Sequence, residues 1–296
     1  MPKPKNKTRK QHWVPQFYLR HFADGEGCLW ACRHDSNKLF VTKTEGICYE
    51  RDLYEVVFPV VENSSDFFMQ NYIEDKLSGM EARLASSYRK LITCCDARSF
   101  TGQEFCDGRL AVCLLAAHLL VRHPQSIKAE TERVPEFLDS QHEDYGLTSF
   151  ELQLLEEMGW KGDYRVLTEL AVEDVLLFSG DEGTPFSRLY NLFANKRMRI
   201  LEACVGANFI SASTPFFIIG SEADPYGLDF MYMPLSSKYA AFFISDDSMP
   251  VFQRLSLPEV DGLNQLLLFN APLWETAFAI AKWPLEKAMI GWTNRD

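Results

Sequence analysis

Apolar positions along the chain follow one period, then a second, then the first again. From residue 28 they fall in short runs bounded by turn residues. Runs 28–33 and 38–42 read as two strands joined by Asp35-Ser36-Asn37, with further extended runs at 46–49 and 53–58. Together these predict a small antiparallel sheet. After Pro59 the spacing lengthens: Ile73, Leu77, Met80, Leu84, Tyr88 and Leu91 recur at intervals of three and four. That pattern predicts an amphipathic helix from about 66 to 92, capped by Ser64 or Ser65. Thr101-Gly102-Gln103-Glu104 has the form of a capping box, and the helix it opens runs to His123, just before Pro124. Residues 110–121 are apolar on almost every face, so this helix is expected to be buried in the middle of the molecule.

Helical pieces follow at about 133–145, 149–158, 167–178 and 186–195. The first three lie in an acidic region and read as a solvated cover; the basic run Lys196-Arg197-Met198-Arg199 suits the negative end of the fourth. Branched and aromatic runs at 199–205, 208–212, 216–220, 229–234 and 239–245 then predict one mainly antiparallel sheet. An edge strand at 251–255, a helix from Pro258 through Phe269 and a helix or strand over 271–281 complete the chain. The fold class is thus α+β: an N-terminal segment with a small antiparallel sheet, a central helical region with a buried helix at about 102–123, and a C-terminal sheet with a final helix. No repeat or linker divides it. Residues 11–296 read as a single domain behind a flexible basic arm, 1–10.

The segment 11–22 stands apart from both periods. It holds the anchors Trp13, Phe17, Tyr18, Leu19 and Phe22 together with Gln11, His12, Gln16, Arg20 and His21. A solvated tail needs no such anchors, so the rest of the chain is expected to be built around this segment.

Composition narrows the class of protein. A length of 296 residues with 47% hydrophobic residues can bury a full core. No apolar run approaches the roughly eighteen residues of a membrane span, and the basic N-terminus lacks the apolar stretch of a secretory signal. A cytoplasmic protein is the expectation, with its eight cysteines as buried thiols in a reducing compartment. Net charge is −11, unevenly spread: Met1 to Ala23 carry six bases and no acid, and the remainder carries 24 bases against 41 acids. Over most of its surface such a molecule repels nucleic acid. The arm alone suits a phosphate partner, namely an anionic substrate or nucleic acid, unless it serves only as a solubilising tail. The acidic helices suit a protein partner.

Candidate chemistry is sparse. There is no phosphate-binding loop, dinucleotide fingerprint, nucleophile elbow or zinc helix, and no motif names a cofactor or a metal. His12, between Gln11 and the rigid Val14-Pro15 pair, is the best imidazole candidate. Glu74 and Glu81 lie on one side of the long helix, about 10 Å apart along its axis. They either face one elongated pocket or pair with basic neighbours. His118 and Arg122, four residues apart on the buried helix, form an internal ion-paired set with Glu74 or Glu81, or else a site in which Arg122 holds an anion and His118 assists proton transfer. Two functions follow. In one, the protein is a hydrolase of a phosphodiester or other anionic substrate, with His12, Glu74 and Arg122 catalytic and Gln11, Gln16, Arg20, Glu81 and His118 binding substrate. In the other, it is a non-enzymatic binding or scaffold module whose polar cluster is structural.

The run Lys10-Gln11-His12-Trp13-Val14-Pro15-Gln16-Phe17-Tyr18-Leu19-Arg20-His21-Phe22 resembles the opening signature of the bacterial domain of unknown function 4238 family. That signature typically reads Gln-His-Tyr-Val-Pro-Gln-Phe-Tyr-Leu-Arg-Asn-Phe. Ile73-Glu74 with Glu81, Arg122-His123-Pro124, Pro234-Leu235-Ser236 and Leu263-Asn264 are similar to its later features. The resemblance implies a bacterial, phage-related protein and assigns no activity. One departure stands out. Where the family commonly shows Ser-Asp-Asn-Pro, this chain reads Ala212-Ser213-Thr214-Pro215, so a step that used that aspartate in relatives would be weakened or altered here.

Overall fold

The computed structural model describes residues 8–34, 36, 38–54, 71–129, 132, 153, 185–220, 228–245, 248–270, 278–282 and 285. The arm before Thr8, the expected strand beyond Tyr54, the start of the long helix at 66–70, the three acidic helices apart from isolated positions, and 271–277 lie outside the described residues.

The fold is α+β. Strand β1 (Lys10–His12) leads into helix α1 (Gln16–Leu19) and a 3-10 turn, Arg20–Phe22. The hairpin β2 (Cys28–Arg33) and β3 (Lys38–Lys43) follows, then a second 3-10 turn at Thr44–Gly46 and β4 (Tyr49–Arg51). Helices α2 (Tyr72–Ala97), α3 (Gln103–Val121) and α4 (Pro185–Ala194) make up the middle. Strands β5 (Arg197–Ala203), β6 (Ser211–Ala212), β7 (Phe217–Gly220), β8 (Leu228–Pro234), β9 (Tyr239–Ile244) and β10 (Phe252–Leu255), helix α5 (Leu257–Asn270) and β11 (Phe278–Ala281) complete it. Among the described residues no helix is long and apolar enough to cross a membrane.

Three sheets form. Strand β1 pairs antiparallel with β4, a five-stranded sheet runs β10-β5-β9-β8-β7, and a four-stranded sheet runs β3-β2-β11-β6. The five-stranded sheet packs apolar side chains on both faces, with Arg199 and Glu202 of β5 as buried charges among them. Met198, Ile200, Met231, Met233, Ala241 and Phe243 share one core with Tyr88 and Leu91 of α2 and with Val112, Leu115 and Leu119 of α3. Their strand neighbours Leu201, Tyr232 and Ala240 share another with Val260, Leu267 and Leu268 of α5. Alternation along each strand therefore sends successive side chains to opposite helical layers. Helix α3 lies against α2 at Gly108, where an added Cβ would meet the Leu91 Cβ at 2.6 Å.

Several local expectations shift. The N-cap of α3 is Gly102, with no side-chain cap, so the Thr101–Glu104 box does not form; Gln103 bonds Asp107 at 2.6 Å and Glu104 pairs with Lys90 at 3.4 Å. Helix α2 starts after Asn71, whose φ is 61°, and runs past residue 92 to Ala97. Arg98 ends it in the left-handed region, its N–H returning to Cys95 and that of Ser99 to Cys94. The basic run does not close α4. Arg197 and Arg199 already belong to β5, where strand pairing with β9 takes precedence over the helix dipole. Strand β10 sits at the sheet edge as expected, but parallel to β5. The hairpin β2–β3 joins the C-terminal strands β11 and β6 rather than β4, which pairs with β1.

Candidate functional site

The segment 11–22 passes through the core. Pro15 has no N–H, and its carbonyl accepts from the amides of Tyr18 and Leu19, which starts α1. Trp13, Val14, Tyr18, Leu19 and Phe22 are all buried. The Tyr18 hydroxyl donates to the Pro234 carbonyl at 2.9 Å and lies 3.1 Å from the Ser211 hydroxyl. Beside it, the Tyr88 hydroxyl donates to the Leu235 carbonyl at 2.6 Å. The segment is thus tied at once to α2 and to the end of β8.

At its start lies the polar cluster, centred on Arg122 at the C-cap of α3. Arg122 is 1% exposed. Its Nη1 donates to Glu81 Oε1 at 2.7 Å, its Nη2 to the His12 backbone carbonyl, and its Nε to the Tyr54 hydroxyl at 3.3 Å. Glu81, on α2, is 24% exposed. Burial works against the Arg122 charge, but Tyr54 and Glu81 outweigh it and raise the pKa. The Tyr54 phenol is pushed up to about 12 by burial, an effect that Arg122 partly offsets and that Glu74 and Glu81 add to. Gln11 is fully buried, and its Oε1 accepts the Tyr54 amide at 2.6 Å.

Three histidines border this charge, and each is held neutral. His12 is lowered to about 4 by burial and then by Arg122; its ring also donates to the Glu45 backbone carbonyl. Its Nε2 has no hydrogen-bond partner among the described residues. His118 is lowered to about 3 by burial and then Arg122, and its ring lies 4.6 Å from that of Phe186. His123 is lowered to about 3 by burial; its Nδ1 accepts the Gln125 amide at 3.3 Å and its ring meets Trp13 edge-on at 5.6 Å.

The structure therefore gathers Gln11, the His12 backbone, Glu81 and Arg122, with Glu74 close enough to act on Tyr54. It places Gln16 and Arg20 elsewhere. They face each other on the outside of α1 and its following turn, Arg20 Nη2 to Gln16 Oε1 at 3.4 Å. His118 lies on the Phe186 side of α3. Among the described residues no group of three or more His, Cys, Asp or Glu is placed to hold a metal ion. Sequence reasoning missed Tyr54, which falls where an apolar run predicts an ordinary strand residue. It also missed the carbonyls of His12 and Glu45, because every residue has one and only the fold decides which meet a side chain.

The departure at Ser213 is resolved locally. Ser213 is buried, its Oγ accepts the Phe278 amide at 3.2 Å, and its own amide donates to the Phe278 carbonyl at 2.9 Å. The serine anchors β11 beside β6. No curated protein and no solved structure matches this chain. A family model does match, over residues 10–279, a span holding the 11–22 segment, the Arg122 cluster and Ser213. The chain belongs to the family described as Protein of unknown function (DUF4238).

Proposed function

We propose that the protein is a non-enzymatic binding module, acting as one unit from residue 11 to 296, whose polar cluster is a structural latch. The supporting observation is the state of Arg122. Its guanidinium is buried and directed at a carboxylate, a phenol and a main-chain carbonyl of the same chain, so its charge is already compensated and the N-terminal segment is held in place by it. The contact surface in this reading is the acidic stretch 130–182, which has 15 acids against 3 bases and suits a basic protein partner. The eight cysteines are free thiols, as suits the cytoplasm.

The decisive comparison is between folding and turnover. Arg122→Ala and His12→Ala are measured for melting temperature and for hydrolysis of bis(4-nitrophenyl) phosphate. A latch predicts a melting temperature lower by roughly 10 °C for Arg122→Ala and no turnover above buffer in the parent protein. Turnover by the parent that both variants abolish, with melting within a few degrees, would overturn this reading in favour of a hydrolase.

The hydrolase reading rests on one observation of its own. His12 Nε2 has no hydrogen-bond partner among the described residues, and the Glu45 backbone acts on the ring from nearby. In that reading His12 is the general base or acid and Arg122 the anion clamp. Glu74 is the orienting or metal-assisting carboxylate, Gln11 and Glu81 lie beside them, and the basic arm draws substrate in, while Gln16, Arg20 and His118 stand away from this point.

A further inference from the structure

Among the described residues, the longest open sheet edge is the outer side of β3. This strand ends the four-stranded sheet and pairs on its inner side with β2 from Lys38 to Lys43, without a bulge. No backbone group of β3 bonds anything but β2 among the described residues. The strand's one side-chain hydrogen bond there is local, from the Thr42 hydroxyl to the Lys43 carbonyl at 3.2 Å. The outward N–H and C=O groups of such an edge form a template on which a further strand can pair.

The sequence of β3 decides which strand the edge accepts. Its middle, Leu39-Phe40-Val41-Thr42, holds no charge and no proline, so nothing in it blocks pairing. Val41 is 51% exposed, an apolar side chain that a cross-strand neighbour would cover. Both ends carry an exposed lysine, and neither Lys38 nor Lys43 has an ion pair among the described residues. A second copy of β3 is therefore a poor occupant. Laid antiparallel in full register it sets Lys38 against Lys43 at both ends, and like charges directly opposite are destabilising. An acidic strand meets the same two lysines as two attractive pairs.

We infer that the outer edge of β3 is a docking site for an extended acidic peptide of a partner protein, which adds a fifth strand to this sheet. The peptide runs antiparallel to β3, with one carboxylate opposite Lys38, a second opposite Lys43 and a branched side chain opposite Val41. Main-chain hydrogen bonds supply the affinity, and the two charge pairs select the partner. The edge uses no residue of the Arg122 cluster or of the acidic stretch and is independent of the reading proposed above.

The test is binding of the peptide Glu-Thr-Val-Thr-Val-Glu, with fluorescein at its N-terminus and an amide at its C-terminus, to the full chain at low salt, read by fluorescence anisotropy. The same peptide with lysine at both ends should bind at least about tenfold more weakly. N-methylation of alternate residues removes the amides on one side of the peptide strand. Of the two alternating sets, one should abolish binding and the other should leave it within about threefold. Lys38→Glu combined with Lys43→Glu should weaken the acidic peptide about tenfold or more and turn the preference toward the lysine-ended one. Both side chains are exposed, so the double variant should keep the parent melting temperature. No binding of the acidic peptide, equal binding of the two peptides, or equal effects of the two methylated sets would overturn the inference. So would a parent dimer in sedimentation that Val41→Pro dissolves, since a second copy would then hold the edge.

Discussion

Arg122 is buried and donates to the Glu81 carboxylate, the Tyr54 hydroxyl and the His12 carbonyl. Removing a partner from a buried ion pair leaves a charge uncompensated, so Arg122→Ala and Glu81→Gln should each destabilise. For Arg122→Ala the expected loss is about 3–5 kcal/mol by urea unfolding. Tyr54→Phe keeps the ring and loses only the hydroxyl, so a smaller loss of roughly 1–2 kcal/mol is expected. A value near zero would mean that the phenol contributes packing alone. The histidines make a separate prediction. His12, His118 and His123 titrate near 3 to 4 in the folded chain and near 6.5 once unfolded. As pH falls below about 6.5 the unfolded chain takes up protons that the folded chain refuses. Stability should therefore fall toward acid and be fully restored above about 6.5, by up to about 1.4 kcal/mol per pH unit per histidine. Melting temperature followed from pH 7 to pH 5 checks the sign. A flat profile would show that these rings stay solvated.

Helices and strands were legible to different degrees. The 3.6 period located α2 and α3, and the unbroken apolar run correctly marked α3 as buried, since Ala111, Val112, Cys113, Leu115, Ala116 and Leu119 are all enclosed. Strand positions were legible as well, but strand partners were not. An apolar run records burial and carries no register, so nothing in residues 28–43 signals that their neighbour is residue 278 rather than residue 49. The candidate site was readable to the same extent: Gln11, His12, Glu81 and Arg122 do come together, while Tyr54 and the main-chain acceptors carried no signal. At this scale Gly108 is the sharpest test. Gly108→Ala should favour an isolated helix by about 1 kcal/mol, yet its Cβ would press on the Leu91 Cβ, which belongs to the packed body of α2. Net destabilisation of roughly 1–3 kcal/mol is expected in chemical denaturation; a stabilised variant would mean that α2 and α3 separate easily.

For the molecule as a whole, the order of strands in space sets an order in time. Strand β11 lies between β2 and β6, so residues near 30 find their sheet neighbour only near 280. A nascent chain must expose the inner edge of β2 through almost all of its synthesis, and an unpaired strand edge is open to wrong partners. A chain halted at residue 270 would keep α2, α3 and the five-stranded sheet and still lack the strand that joins the two ends. Such a fragment should be found in aggregates or in protease digests while the full chain is not.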